Sequence, residues 1–181
     1  MQNIVLNRTS LDLIGVSYND MMSYSFEIKS SEDLLNELCR RFDDYNNDKL
    51  SSGKAVICSI FCWHLVEWIY NEHGDQLTDF KNKSDFIKHV KTACNSLSYI
   101  QDVANGSKHR GISLYKPKLR STELKNGAFS SGFSNGFDIS CLRMEIDGGQ
   151  FIYFHEEIDK ALSFLKIYLS GLTDSSLNNK D

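Results

Sequence analysis

The stretch Ser52–His73, SGKAVICSIFCWHLVEWIYNEH, decides the fold. Its apolar residues run from Ala55 through Ile60, Phe61, Trp63 and Leu65 to Ile69 and Tyr70, and they cover nearly the whole circumference of a helix. A helix that is apolar all round belongs at the centre of a bundle. Gly74 is placed to end it.

Helices are expected on both sides of this stretch. Upstream, Ser30 or Ser31 can cap a helix whose first turn carries Glu32 and Asp33, and Leu34, Leu35, Leu38 and Phe42 recur at helical spacing until about Tyr45. Before it, Leu11 to Val16 and Tyr24 to Ile28 read as irregular chain with one or two strands. Downstream, a helix from about Ser84 carries Phe86, Ile87, Val90, Ala93 and Cys94. After a break near Asn95 and Ser96 its continuation carries Leu97, Ile100, Val103 and Ala104 to a stop at Gly111.

Beyond Gly111 the period changes. Ile112 to Leu119 and Phe137 to Ile146 alternate like strands, and Asp147-Gly148-Gly149 is a turn signal before Phe151 to Phe154, which predicts a hairpin. Asn126 to Gly136, rich in Gly, Ser and Phe, reads as a mobile loop. A last helix from Glu156 to Leu169 places Ile158, Ala161, Leu162, Leu165 and Leu169 on one face and stops at Gly171. The expected fold is mainly α: a bundle of four to five helices with a small antiparallel sheet in the C-terminal half. Residues 1–171 form one domain, and 172–181 a disordered tail.

Composition narrows the function classes. The chain has 181 residues, of which 41% are hydrophobic and 12% aromatic, enough for a substantial core. A net charge of −4 argues against a protein that coats nucleic acid through bulk charge and leaves room for a local basic patch. No run approaches the roughly 18 apolar residues of a membrane helix, and the N-terminus lacks a signal-peptide apolar region, so no membrane association and a cytoplasmic location are expected. Five cysteines, Cys39, Cys58, Cys62, Cys94 and Cys141, suit reduced core thiols. Cys58 and Cys62 share a helix face among apolar neighbours, so no metal is expected there. Ser52-Gly53-Lys54 is no phosphate loop, because Asp48 stands where the first glycine belongs. No cofactor motif is found.

Three polar features stand out. On the helix before Gly111, Asp102, Asn105 and His109 lie at offsets of three and seven and share one face. His109 could transfer a proton near neutral pH, Asp102 or Asn105 could orient it, and Lys108 or Arg110 could stabilise a developing phosphorane. That set suits metal-independent cleavage of RNA through its 2′-hydroxyl. The alternative is structural, since cations just before a terminating glycine complement the last carbonyls of a helix. Gly106 favours function, because a glycine inside a helix often marks a close approach by another backbone or a ligand. On the central helix, His64, Glu67 and Asn71 repeat the same offsets as a lone polar stripe, which either pairs with the Asp102 face or meets solvent. The third feature is charge. Lys108, Arg110, Lys116, Lys118, Arg120 and Lys125 accompany a single acid, Glu123, and lead towards Phe129, Phe133 and Phe137. Such a basic and aromatic mixture can hold single-stranded nucleic acid, although a solvated strand face has the same composition.

Trp63-His64-Leu65-x-x-Trp68 and Asp102-Val103-Ala104-Asn105-x-x-Lys108-His109 together resemble a group of small bacterial and phage-associated proteins. In helical architecture, and in an amide followed by a histidine late in a helix, that group is similar to the HEPN superfamily, which includes RNA-cleaving toxins and defence proteins. The family pattern is an arginine and a polar residue with a histidine about four to six positions after the arginine. Here no arginine lies at that spacing before His109, so only Asn105 and His109 carry over. The resemblance implies an RNA-directed protein of phage-defence or stress type, a ribonuclease or a degenerate RNA-binding relative, and a homodimer. A non-enzymatic protein-interaction module is the competing expectation.

Overall fold

The computed structural model describes residues 26–109, 115–134 and 136–178. Five helices and three strands follow one another: α1 (Ser31–Asn46), α2 (Ser52–His73), α3 (Lys83–Ala93), α4 (Ser96–His109), β1 (Leu119–Lys125), β2 (Cys141–Ile146), β3 (Gln150–Tyr153) and α5 (Phe154–Asn178). The molecule is a helical bundle with a small antiparallel sheet in its C-terminal half, as expected. The strand region expected at Leu11 to Val16 lies outside the described residues, as do the start of Tyr24 to Ile28 and Arg110.

The helix starts follow from their caps. Ser30 Oγ accepts from Asp33 N–H at 3.0 Å while the Asp33 carboxylate accepts from Ser30 N–H at 3.0 Å, a reciprocal box that satisfies donors at the start of α1. Glu72, near the end of α2, adds a bond from Ser31 N–H at 2.5 Å, so α2 helps to cap the helix before it. Asn82 caps α3 by accepting from Asp85 N–H at 3.0 Å. Between α3 and α4 the extended backbone of Cys94 breaks the helix. Ser96, at the start of α4, donates to the buried Glu157 of α5 at 2.6 Å.

α2 is the central helix and packs against α1, α4 and α5. Leu65, Val66 and Ile69 are fully buried, together with Leu38 of α1, Ile100 of α4 and Ile158 of α5. Cys58 and Cys62 are buried in the same core, and burial pushes the Cys58 thiol up to about 12, so it packs as an apolar group at neutral pH. The apolar face read for the last helix, from Ile158 to Leu169, is buried throughout. That helix does not stop at Gly171 but continues to Asn178. Glycine costs a helix only about 1 kcal/mol, and Leu169 and Leu172 pack on the core at either side of it.

The sheet has the order β1-β2-β3, both pairs antiparallel. The expected hairpin forms at β2–β3, with Gly148 and Gly149 at φ of 89° and 74°, a conformation that favours glycine. Leu142 and Met144 face the core. Arg143, on the opposite face, lies 3.8 Å over the Phe151 ring and bonds Glu123 across the ladder. β1 corrects the sequence reading: a strand was expected to end at Leu119, whereas β1 starts there. Pro117 lacks the N–H that a ladder needs. β1 is mostly exposed, so its LRSTELK carries no buried alternation to betray it. The segment read as a mobile loop is tied by Phe129 N–H to Asp138 O at 2.9 Å and Ser140 N–H to Phe129 O at 2.8 Å. Gly127 passes so close to the chain leading into β2 that a Cβ would lie 2.3 Å from the Asp138 carbonyl oxygen.

Candidate functional site

α4 carries Asp102 on its inward face, 4% exposed. Its Oδ2 accepts from the backbone N–H of Lys118 at 2.5 Å and of Leu119 at 3.0 Å, and its Oδ1 accepts from the Tyr115 hydroxyl at 2.8 Å. Three donors therefore compensate a buried carboxylate. The chain entering β1 is clamped to the helix by this one side chain. Asn105, half-buried one turn later, donates to the same Tyr115 hydroxyl at 3.2 Å. Burial above all, with the Asp102 acceptor adding to it and the Asn105 bond opposing, pushes the Tyr115 phenol up to about 12.

The structure thus brings Asp102 and Asn105 together through Tyr115, a residue that sequence reading did not single out. His109 stands apart. It is exposed at the last position of α4 and makes no side-chain hydrogen bond to another described residue, so neither Asp102 nor Asn105 orients it. Lys108 is exposed beside it. A Cβ at Gly106 would meet no atom within 4 Å, so no backbone makes the close approach that the glycine suggested. Gly106 instead lines an open groove of about 500 Å³ with Asp102, Ser107, Arg120, Ser121 and Thr122.

The second polar stripe does not meet the first. His64 and Asn71 are exposed, and the half-buried Glu67 pairs with Lys83 of α3 at 3.4 Å. The polar partner that sequence reading did not single out on α2 is His73, whose Nε2 lies 3.2 Å from Ser31 Oγ. With Ser31 1% and His73 9% exposed, the pair is a sealed tie between α1 and α2 and not an accessible nucleophile.

The basic segment divides in two. Arg120 bonds Asp147 at 2.5 Å and Lys125 bonds Asp138 at 2.6 Å, which neutralises both. Lys108, Lys116 and Lys118 are exposed without an ion pair among the described residues. Further along the chain, past the end of β1, Phe129, Phe133 and Phe137 gather into one cluster with ring centroids 5.3, 5.3 and 6.0 Å apart, and they are 41, 52 and 52% exposed. Each residue keeps roughly half its surface in water, so the three form one contiguous exposed aromatic patch, whereas exposed apolar residues are ordinarily scattered singly.

No protein-family model, curated protein or solved structure matches the chain. Among the described residues there is no group of three or more His, Cys, Asp or Glu side chains placed to hold a metal ion. Nor, among the described residues, is any helix long and apolar enough to cross a membrane.

Proposed function

We propose that this protein binds single-stranded RNA without cleaving it, as a degenerate relative of HEPN-like defence or stress proteins. The observation that carries the reading is the trio Phe129, Phe133 and Phe137, a half-exposed aromatic cluster held on a hydrogen-bonded loop. Nucleobases stack on such rings whatever their sequence, and unpaired lysines nearby in the chain supply the charge that phosphates require. The non-cleaving part rests on Asp102 and Asn105, whose hydrogen bonds are spent on Tyr115 and the backbone, leaving His109 without an orienting partner among the described residues.

The test is fluorescence anisotropy with a labelled oligouridylate at low salt. Phe133→Ala with Phe137→Ala weakens binding by roughly tenfold or more, as loss of stacking on one or two bases requires. Unchanged affinity in that double variant, or no RNA binding by the parent chain, ends the RNA reading and leaves the phenylalanines as a protein-docking patch. RNA cleavage that disappears in His109→Ala would overturn the non-cleaving part alone.

A further inference from the structure

Away from the Asp102 face, the groove between α3 and the N-terminal part of α4 gathers charge of one sign. Lys88, Lys91, Thr92, Asn95, Ser98 and Lys118 line an open space of about 540 Å³, and no carboxylate lines it. Lys88 and Lys91 are three apart on one face of α3. Lys118 arrives from a separate segment, and its position is set by the bond from its own backbone N–H to Asp102. The last turn of a helix selects cations, which accounts for Lys91. It does not account for Lys88 one turn earlier or for Lys118.

These three ammonium groups have no ion pair among the described residues, whereas Lys83, Arg120, Lys125, Arg143 and Lys160 each hold a carboxylate. The Lys91 ammonium has only the neutral Gln101 oxygen, at 2.6 Å. Burial first, and repulsion from Lys118, lower its proton affinity against the pull of Asp102. Ser98, 3% exposed, also lines the groove, and its hydroxyl makes no hydrogen bond to another described residue.

We infer that this groove is a binding site for a phosphate group, with Lys88, Lys91 and Lys118 supplying the counter-charge and Ser98 Oγ a donor. A tetrahedral anion with several acceptor oxygens takes donors from several directions at once, which suits a groove lined by cations and a hydroxyl better than a single carboxylate does. Asp102 then has a second consequence, because by clamping the backbone at Lys118 it fixes one wall of the site. The inference does not depend on the phenylalanine cluster.

Calorimetric titration at constant ionic strength tests it, with three probes: inorganic phosphate, adenosine monophosphate and an oligouridylate without a terminal phosphate. Saturable binding of at least one probe is expected. Lys91→Met with Lys118→Met weakens it by about tenfold or more, and Ser98→Ala by about threefold, the scale of charged and single hydrogen-bonded contacts. Binding of phosphate or the mononucleotide identifies a small phosphorylated ligand, whereas lysine-dependent binding of the oligouridylate alone identifies an RNA backbone phosphate. Lys118→Glu, at an exposed position, keeps the test open if the half-buried Lys91 variant does not fold. No saturable binding of any probe, or binding indifferent to these substitutions, overturns the site. Variants of Phe133 and Phe137 leave phosphate binding unchanged, so the two readings fail separately.

Discussion

Two polar faces with the same spacing have opposite fates in this molecule. Asp102, Asn105 and His109 on α4, and His64, Glu67 and Asn71 on α2, both sit at offsets of three and seven. On α4 the first residue is buried and bonded to three donors, the second is half-buried and bonded to Tyr115, and the third is in water. On α2, the most buried helix of the bundle, the stripe is the one side that meets solvent. Periodicity tells which residues share a face; what that face meets depends on the neighbours. The α4 face meets the chain entering β1, whereas among the described residues the α2 stripe reaches the start of α3, through Lys83.

The widest gap between the faces is expected at Asp102. Asp102→Ala leaves the Lys118 and Leu119 amides without their acceptor and lowers stability by about 3 kcal/mol in urea unfolding. His64→Ala and Asn71→Ala each change it by less than about 0.5 kcal/mol. Equal losses at Asp102 and Asn71 would break the comparison outright.

Next in size is the Tyr115 network. Asn105→Ala and Tyr115→Phe each cost about 1 kcal/mol, and because they share one bond, the double variant loses less than the sum. Strict additivity would mean that the Asn105 contact contributes nothing. His109→Ala, one turn further along, stays within about 0.5 kcal/mol.

A smaller effect belongs to the α2 stripe. A double-mutant cycle on Glu67 and Lys83, both about 38% exposed at the side chain, should give a coupling below about 1 kcal/mol that fades at molar salt. A salt-resistant coupling would show that the stripe is less open than its exposure implies.

A pH effect sharpens the same comparison. The folded chain holds the Tyr115 phenol at about 12 against an ordinary 10, so the neutral form is favoured by folding. The stability this confers is complete below about pH 10 and is lost as the pH rises towards 12. Tyr45 and Tyr168 are also raised by burial and act in the same direction. Tyr115→Phe therefore makes the fall between pH 10 and 12 shallower without removing it, which unfolding midpoints across that range will register. An unchanged slope would mean that Tyr115 ionises as freely as in the unfolded chain.

Much of the fold was legible because its signals are local. The all-round apolar α2, the Ser30 and Asp33 box, the one-faced α5 and the Gly148-Gly149 turn each depend on residues a few positions apart. β1 was misplaced because an exposed strand owes its structure to the ladder with β2, which no local pattern encodes. The candidate site was legible in part. Asp102 and Asn105 were found through their shared face, but their partner Tyr115 and the anchored amides at Lys118 and Leu119 lie up to 17 residues away. Lys88, Lys91 and Ser98 look like ordinary helix residues until the α3–α4 break folds them onto Lys118.

By itself, then, the sequence determined the helices, their buried faces and the hairpin turn, since backbone propensity, capping and periodicity act over a turn or two. Only the tertiary structure decided that Asp102 is a clamp and not a companion of His109. It alone brought three lysines from two segments to one groove, and three phenylalanines around one another. Those outcomes rest on pairings distant in the chain, where packing and the requirement to satisfy buried polar groups select the partner.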